Sequence, residues 1–568
     1  MNPSTPSPGV SSPAENEISR HIEMAHTRYH RHTLVLILLL SVLLRVAIAF
    51  YYGDVVDAPP LLTDQRSYHW LGAQIAAGEG YTFPTPWYPF TPANTPTAHW
   101  SFLYPLFVAG VYTLFGVHPL AARLAQAVFG GLLLPWMVYR LTSTLFRQHI
   151  DAKTPGRQDG TTRDDQALAR SHARSPELWR FLPLVAALWA AVYPYFALYS
   201  ATIMTESFYI TALLWSLDLA LQMGRLLRAR ARVPWPLTFQ LGLSLGIAAV
   251  LRQSILPWVP VLCLWLAWQA LGARGPQWDR ASGEGGSTHP APERARKTAS
   301  NSASVVLALR RLGPVVAAGL ILIACILPWT VRNYRVYGEF LLLNSNTGYA
   351  MYSAQHPLHG TRFREFDAAP LPEDLGPLRA AGNEAQLDRA LMQRAIGFVL
   401  DDPGRYLLLS LSRVRAYFEF WPTPDTTLVH NIGRVGSFGI ALPFMLYGIG
   451  LALGQARSAA GHRPSAGAER QAAPNPAPAS STQAGRTAGQ APGKAGRPAQ
   501  LAASELGLLL GFIAFYSALH IFTWAMVRYR LPVDAVALPF AALAVVDLAS
   551  RLFALLPQKR GQSPDLHP

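Results

Sequence analysis

The chain has 568 residues, of which 51% are hydrophobic and only 14% are charged, whereas about 25% of the residues in an ordinary soluble domain are charged. This composition excludes a disordered chain, a coiled coil and a typical soluble enzyme. The formal net charge of +15 would suit a nucleic-acid-binding protein, but in so apolar a chain a basic excess first indicates membrane topology.

The first apolar run extends from Thr33 to Tyr52 and is long enough to cross a bilayer, which takes roughly 20 mostly apolar residues. The polar segment before it, residues 1–32, is expected to be disordered and cytoplasmic. Residues 47–49, Ala-Ile-Ala, resemble a cleavage site, but the long polar segment and Arg45 within the run favour an uncleaved signal anchor. Further apolar runs follow near residues 119–144, 181–199, 202–223, 237–251, 254–271, 313–330, 435–454, 503–524 and 531–550.

A shorter apolar run, residues 102–116, decides the topology. It has about 15 residues and contains Pro105, so we expect it to lie at the membrane interface or to re-enter. The arginine-rich segments then lie with the N-terminus on one side, which the positive-inside rule makes cytoplasmic. The sequence therefore predicts an all-α polytopic protein of the cell inner membrane, with about ten spans and both termini cytoplasmic. The arginine-rich segments are 146–180, 224–235, 272–312 and 455–500.

The predicted organisation has two large extracytoplasmic segments, which we name the first outer loop (53–118) and the second outer loop (331–434). Two segments rich in Ala, Pro, Gly and Ser cannot bury enough apolar surface to order themselves and are expected to be cytoplasmic linkers. The expected units are an N-terminal transmembrane module (33–271), a linker (272–312), transmembrane helices around the second outer loop (313–454), a low-complexity linker (455–502), a C-terminal transmembrane hairpin (503–552) and a cytoplasmic tail (553–568).

On this topology, five separated segments bring carboxylates or arginines to one membrane boundary, where an ionisable group is costly unless it is paired or functional. The planar guanidinium of arginine binds phosphate bidentately and stays charged. A carboxylate within reach can take a proton as a general base. The set therefore suits group transfer from an anionic lipid-linked donor, such as a glycosyl phosphate. The residues are Asp64, Glu206, Arg252 with Gln253, Arg332 with Asn333 and Arg335, and Arg528 with Tyr529 and Arg530.

These residues also have simpler interpretations. A carboxylate in a loop, such as Asp64, is most often only solvated, and Glu206 can favour the dipole at a helix N-terminus. Arg528 and Arg530 can reach lipid head groups with their long side chains. Arg45, inside the first apolar run, is expected to pair with a neighbouring helix and not with a substrate.

Several segments, taken in order and with their outward placement, carry a family resemblance. They are Asp64 with Tyr68 and then GEGY, SFLYPLFVAGVYTLFG followed by AARLAQ, MTES, PWTVRNYRVYG, LNSNTGYAMY and RYRLPV. The chain resembles the GT-C superfamily of polytopic, polyprenyl-phosphate-sugar-dependent glycosyltransferases over most of residues 33–550, excluding the linkers. The most similar branch is the bacterial one related to lipid A aminoarabinose transferases, lipopolysaccharide-core galacturonosyltransferases and protein O-mannosyltransferases.

The resemblance implies that the acidic residue after the first span, here Asp64, acts as or beside the catalytic base, and it favours Glu206 as a second catalytic candidate. It implies an interfacial helix in the first outer loop, in agreement with the interpretation of residues 102–116. Some relatives carry Asp-Glu where Gln65 follows Asp64 here, which speaks against protein O-mannosyltransferase activity. Candidates for donor-phosphate binding are Arg252, Arg332, Arg335, Arg528 and Arg530, and candidates for substrate contact are Tyr68, Asn333, Asn346 and Tyr529.

The sequence thus predicts an inverting glycosyltransferase that moves one sugar from a polyprenyl-phosphate donor to an extracytoplasmic glycolipid, polysaccharide or protein. Two alternatives stay open: a lipid-phosphate transporter or flippase, and a non-catalytic glycolipid-assembly factor on the same fold. Neither a metal site nor another cofactor is predicted, because His69, His99, Cys263 and Cys325 have no metal-ligand spacing; a weak dependence on divalent cations stays open. Membrane lipids are expected partners, and nucleic acid is not.

Overall fold

The computed structural model describes residues 13–56, 63–87, 91–152, 178–272, 293–364, 369–424, 427–461 and 503–555. Much of the predicted linkers and the tail after residue 555 lies outside these ranges. The described residues form helices and connecting turns, without a β-strand; residues 82 and 96, and 87 and 91, form isolated bridges. The predicted all-α class is therefore confirmed for the described part of the chain.

The helices are numbered here in chain order. They are α1 (Pro13–Tyr52), α2 (Thr63–Ala76), α3 (Leu103–Phe115), α4 (Pro119–Ala152), α5 (Leu182–Val192), α6 (Pro194–Ala201), α7 (Glu206–Arg228), α8 (Trp235–Leu251), α9 (Trp258–Leu271), α10 (Glu293–Tyr337), α11 (Thr347–Gln355), α12 (Gly376–Ala380), α13 (Glu384–Asp401), α14 (Pro403–Tyr417), α15 (Leu428–Arg434), α16 (Ile440–Gly461), α17 (Ala503–Phe522) and α18 (Leu531–Leu555).

Two helices begin earlier than the sequence indicated. Helix α1 includes residues 13–32, predicted to be disordered, and α10 includes residues 293–312, assigned to a linker. Both segments contain good helix formers such as Ala, Glu and Arg, and Pro13 suits the first position of a helix. Each helix therefore begins within a polar segment, before the apolar run from which it was predicted.

Seven of the described helical segments are long and apolar enough to cross a membrane, or eight if α5 and α6, bent by 54°, form one broken span. About ten were predicted. The predicted spans at 237–251 and 254–271 correspond to α8 and α9, which have only 17 and 14 residues. At 1.5 Å per residue they are about 26 and 21 Å long, shorter than the roughly 30 Å hydrocarbon core. Polar Arg252 and the 3₁₀ turn Gln253–Ile255 separate them.

Helix α3 covers most of the apolar run that was expected not to span. It has 13 residues, about 20 Å, which is too short to cross the hydrocarbon core. It packs on α2 and also contacts α4 and α8. Its length therefore agrees with the predicted interfacial helix of the first outer loop.

Helices α4, α7 and α18 form the centre of the bundle. Helix α4 packs on α1, α5 and α7, α7 packs on α8 and α9, and α18 packs on α16 and α5. The spanning segments Val527–Leu555 and Glu206–Arg228 are the most buried, whereas Arg28–Tyr52 and Arg310–Tyr337 expose much of their apolar surface. The N-terminal ends of α7 and α18 are thus held at the centre of the protein, and the candidate site lies there.

Candidate functional site

An ion pair joins the first outer loop to the start of the last helix. Asp64 lies in the first turn of α2, and Arg528 lies in the 3₁₀ turn Val527–Arg530 directly before α18. The distance between Arg528 Nη1 and Asp64 Oδ2 is 2.6 Å, and the two side chains are 13% and 10% exposed. The structure therefore places the predicted base in direct contact with one predicted phosphate ligand.

A second ion pair lies near the first. Glu206 is the first residue of α7, and Arg252 follows the last residue of α8. Arg252 Nη2 donates to Glu206 Oε1 at 3.0 Å, and the glutamate side chain is only 1% exposed. Glu206 Oε2 is buried and accepts no hydrogen bond from the described residues. One oxygen of this carboxylate thus holds the arginine, and the other is left without a donor.

Two tyrosines connect the ion pairs. The guanidinium carbons of Arg252 and Arg528 lie 5.2 and 5.3 Å from the ring centroid of Tyr529, within the range of cation–π attraction. Tyr68 is within electrostatic range of all four charged groups, and its burial, reinforced by Asp64, raises its pKa above the ordinary value. The phenol of Tyr68 therefore stays protonated at neutral pH. We refer to Asp64, Glu206, Arg252 and Arg528, with Tyr68 and Tyr529, as the charge cluster.

Polar side chains that contact backbone fix the surroundings of Asp64. Gln65 is fully buried, and its side-chain oxygen accepts a 2.9 Å hydrogen bond from the backbone N–H of Ile203. Arg123 and Gln126, from the AARLAQ segment of α4, donate to backbone carbonyls within residues 199–202. These contacts tie α2 and α4 to the turn that precedes α7. The glutamine after Asp64 thus has a structural role in this chain.

Arg332 and Asn333 lie apart from these contacts. Arg332 Nη1 donates to the carbonyl of Thr97 at 2.8 Å, and its guanidinium lies 4.6 Å from the centroid of the Trp329 ring. Asn333 is fully buried, and its amide donates to the carbonyl of Leu343 at 2.7 Å. Both side chains therefore fasten the end of α10 to neighbouring loops, and neither contacts the charge cluster.

Arg530 and Arg335 are likewise not brought into the cluster. Arg530 is fully buried, donates to Asp534 at 3.1 Å and to the carbonyl of Tyr417 at 2.8 Å, and lies 3.6 Å from the centroid of the Phe438 ring. Arg335 is exposed and forms no hydrogen bond or ion pair with the part of the chain that the structure describes. Of the five arginines predicted to bind phosphate, the structure brings Arg252 and Arg528 together.

The second outer loop contacts the turn that carries Arg252. The side-chain amide of Gln253 donates to Asn346 Oδ1 at 3.3 Å and also to the hydroxyl of Thr347. Asn344 donates to the same oxygen of Asn346 at 3.0 Å. The predicted substrate residue Asn346 therefore lies one contact away from the charge cluster, through Gln253.

Two further ionisable residues near the site were not predicted from the sequence. His520, in the last turn of α17, stacks on Tyr529 with ring centroids 4.7 Å apart; an ionisable side chain at the end of an apolar helix was a usable signal. Glu384, the first residue of α13, is buried at 1% exposure and accepts several hydrogen bonds. Nothing in its local sequence distinguishes it from a solvated glutamate.

Arg45 donates to Ser200 Oγ at 3.2 Å and to the carbonyl of Ala191 at 2.8 Å, so its predicted pairing with neighbouring helices is confirmed. His69 shares a 2.8 Å hydrogen bond with the hydroxyl of Tyr112. Within the ranges that the structure describes, no group of three or more His, Cys, Asp or Glu side chains could hold a metal ion.

Together, the helices define an all-α polytopic membrane protein in which two ion pairs meet at the start of two central helices. No family model, curated protein or solved structure matches the chain.

Proposed function

We propose that the protein is a membrane glycosyltransferase that moves one sugar from a polyprenyl-phosphate donor to an extracytoplasmic acceptor. The observation that carries the proposal is the 2.6 Å contact between Asp64 and Arg528. A proton acceptor and a phosphate-binding cation are the two groups that transfer from a glycosyl phosphate needs at one place. The sequence segments that resemble GT-C glycosyltransferases support the same assignment.

The geometry suggests an exchange of partners. Arg252 and Arg528 both face the ring of Tyr529, so one phosphate group can accept from both guanidiniums. When the phosphate takes Arg528, Asp64 loses its counter-ion, and its carboxylate becomes free to accept a proton. The neighbouring Glu206 holds Arg252 and keeps its second oxygen for a hydroxyl of the substrate.

The transfer is a single displacement. The acceptor hydroxyl oxygen forms a bond to the anomeric carbon while the bond from that carbon to the phosphate oxygen breaks. The hydroxyl proton moves to Asp64, and polyprenyl phosphate leaves with its negative charge stabilised by the two arginines. Attack opposite the leaving group inverts the anomeric centre.

The proposed location is the cell inner membrane, with both termini cytoplasmic and the charge cluster at the extracytoplasmic face. The two outer loops contact each other, for example through Glu384 with Thr91 and Thr97, so they lie at the same end of the bundle. In this proposal the arginine-rich segments are cytoplasmic, as the positive-inside rule requires. The prenyl chain of the donor would stay in the bilayer, and the acceptor would approach from the outer loops.

The first test is Asp64→Asn in the purified full-length protein, supplied with labelled polyprenyl-phosphate sugars and extracted surface glycolipids. Asparagine keeps a hydrogen bond to Arg528 but cannot take the proton, so transfer should be lost while the protein stays folded. The control is Asp54→Asn, because Asp54 lies in the same loop and accepts from the N–H of Leu120 at 2.8 Å, which asparagine also does. Wild-type transfer by Asp64→Asn would exclude Asp64 as the base.

The second test measures donor binding. Arg528→Ala should weaken it by about 1.5–3 kcal/mol, the range for hydrogen bonds to charged groups, which is roughly 10- to 150-fold in Kd. Arg335→Ala is the control, since this exposed arginine does not contact the cluster. Equal donor affinity of wild type and Arg528→Ala would exclude the phosphate site. Release of free polyprenyl phosphate by the wild-type protein distinguishes a transferase from a transporter or an assembly factor.

A further inference from the structure

The carboxylate of Glu384 joins three separate segments of the chain. Glu384 is the first residue of α13 and is 1% exposed. It accepts hydrogen bonds from residues 91–98 of the first outer loop, from the end of α10 and from the loop that follows α10. The donors are Thr91 Oγ1 at 2.6 Å, Thr97 Oγ1 at 2.7 Å, the N–H of Ala98 at 2.8 Å, Ser345 Oγ at 2.8 Å and the hydroxyl of Tyr337 at 3.3 Å.

This arrangement is unusual for a buried carboxylate. Across the described ranges, no cationic side chain lies within ion-pair distance of Glu384, and burying a carboxylate is costly unless donors replace its water. Here four donors, the hydroxyl of Tyr337 that Glu384 shares with the carbonyl of Pro96 at 3.1 Å, and the N-terminus of an 18-residue helix supply that compensation. Because each donor must be in place, the carboxylate favours one relative arrangement of the three segments.

One branch of contacts leads from Glu384 to Asp64. Glu384 holds Thr97 and Ala98, and Trp100 lies two residues after Ala98. The Trp100 ring lies 5.3 Å from that of Tyr68, centroid to centroid. Tyr68 is one helical turn after Asp64 on α2 and belongs to the charge cluster. A shift of the Thr97 segment would therefore move the Trp100 ring that packs against Tyr68, one turn from Asp64.

The other branch leads to Arg252. Ser345 donates its hydroxyl to Glu384 and its N–H to the carbonyl of Ala98 at 2.9 Å, so it joins the second outer loop to the first. The adjacent Asn346 accepts from Gln253, which is the neighbour of Arg252. Glu384 is thus linked to both ion pairs, although it contacts neither.

We propose that Glu384 is a positioning residue that locks the two outer loops together and thereby sets the geometry of both ion pairs. It acts through Trp100 and Tyr68 on one side and through Ser345, Asn346 and Gln253 on the other. The part that concerns transfer rests on the proposed function, whereas the locking of the loops does not.

The test is Glu384→Gln in the full-length protein. Glutamine keeps the size of the side chain, but its amide nitrogen cannot accept the hydrogen bonds that one carboxylate oxygen now accepts. The matched control is Asp388→Asn, one turn later in α13. Asp388 accepts hydrogen bonds from the N–H groups of Gly348 and Tyr349 in the second outer loop. No hydrogen bond joins Asp388 to the described residues of the first outer loop.

Hydrogen exchange gives a readout that does not depend on activity. In Glu384→Gln, peptides covering residues 94–101 should exchange at least about tenfold faster, since loss of a hydrogen bond to a charged group is worth that much. Asp388→Asn should leave these peptides at the wild-type rate. Unchanged exchange in Glu384→Gln, or an equal change in the control, would overturn the proposal.

Transfer kinetics supply the second readout. Glu384→Gln should lower kcat at saturating donor about tenfold or more, with little change in donor Kd, because the two arginines remain. Asp388→Asn should keep the wild-type kcat. If the wild-type protein transfers no sugar, the proposed function fails, but the exchange result still decides whether Glu384 locks the loops. Faster exchange with an unchanged kcat would overturn the positioning of the ion pairs.

Discussion

Arg530 offers a sharp test because the structure gives it a role that the sequence did not predict. It was a candidate phosphate ligand, yet it forms a fully buried ion pair with Asp534 at 3.1 Å. The hydroxyl of Tyr193 also donates to Asp534 at 2.8 Å. We therefore expect Asp534→Asn to destabilise the protein without weakening donor binding.

The magnitude follows from burial. Both side chains of the pair are 0% exposed, so removing one charge leaves the other buried without a counter-ion. Breaking such a pair costs about 3–5 kcal/mol, whereas replacing both partners by apolar residues is often neutral. Asp534→Asn should thus lower the free energy of unfolding by about 3–5 kcal/mol. The double variant Arg530→Met with Asp534→Leu should recover much of the loss.

The same helix provides a matched control. Asp547 and Arg551 form a pair with the same spacing at 2.7 Å, but the arginine is 65% exposed. Asp547→Asn should cost about 0–1 kcal/mol. The assay is equilibrium unfolding of the purified protein in mixed micelles with an increasing fraction of sodium dodecyl sulfate. Equal losses for the two single variants, or a loss below about 1 kcal/mol for Asp534→Asn, would refute the reasoning.

Two further predictions concern packing and pH. In Gly448→Ala, the new Cβ would lie 1.8 Å from the carbonyl oxygen of Phe540, so the variant should lose about 1–3 kcal/mol in the same assay. In Gly450→Ala the new Cβ would meet open space, so this variant should keep the wild-type stability. An equal loss of stability in the two variants would contradict the observed contact of α16 with α18. Burial raises the pKa of Asp388 to about 7, so folding favours its protonated form. The stability that the protonated Asp388 side chain contributes is fully present below about pH 4 and is lost as the pH rises through about 7. Hydrogen exchange of residues 347–355, corrected for the intrinsic rate, should accelerate over that range in wild type but not in Asp388→Asn.

The ion pairs show which part of the site is readable from sequence. A carboxylate just after an apolar run and arginines at the ends of others are visible as exceptions to an apolar pattern. Asp64, Glu206, Arg252 and Arg528 were found in this way. Which carboxylate meets which arginine depends on how distant helices pack, and a local pattern contains no information on that. The contact of Asp64 with Arg528 therefore had to come from the structure.

Arg528 and Arg530 show why two arginines that were predicted to act alike have different contacts. They lie in one 3₁₀ turn, where successive residues are roughly 120° apart around the axis. Arg528 and Arg530 are two positions apart, so their side chains also point in directions that differ by about 120°. One arginine thus reaches Asp64, and the other reaches Asp534 and the carbonyl of Tyr417. The sequence does not indicate this turn geometry, and the prediction therefore placed both arginines at one phosphate.

Glu384 and the short helices α8 and α9 were hidden for other reasons. The donors to Glu384 all precede it in the chain, and the farthest, Thr91, is 293 residues away, so no spacing rule connects them. The runs at 237–251 and 254–271 are apolar enough to suggest spans, but hydropathy does not show that Arg252 and Gln253 end one helix before it is long enough. In both cases the missing information is tertiary.

The balance of charge in the cluster leads to one more expectation. Two carboxylates and two guanidiniums neutralise each other there, so a phosphate that enters adds a negative charge that nothing in the cluster balances. Asp64 can act as the general base only if it stays ionised when the phosphate takes Arg528, so this extra charge must remain in the donor complex until the proton of the acceptor reaches Asp64.

Binding of a non-reacting donor analogue should therefore take up no proton at neutral pH. Calorimetric titrations in buffers of different ionisation enthalpy would detect any uptake, because the apparent binding enthalpy would then depend on the buffer. Asp64→Asn should bind the analogue with the same independence from the buffer. If binding to the wild-type protein takes up a proton and binding to Asp64→Asn does not, donor binding protonates Asp64, and the exchange of partners that leaves Asp64 as the general base is wrong.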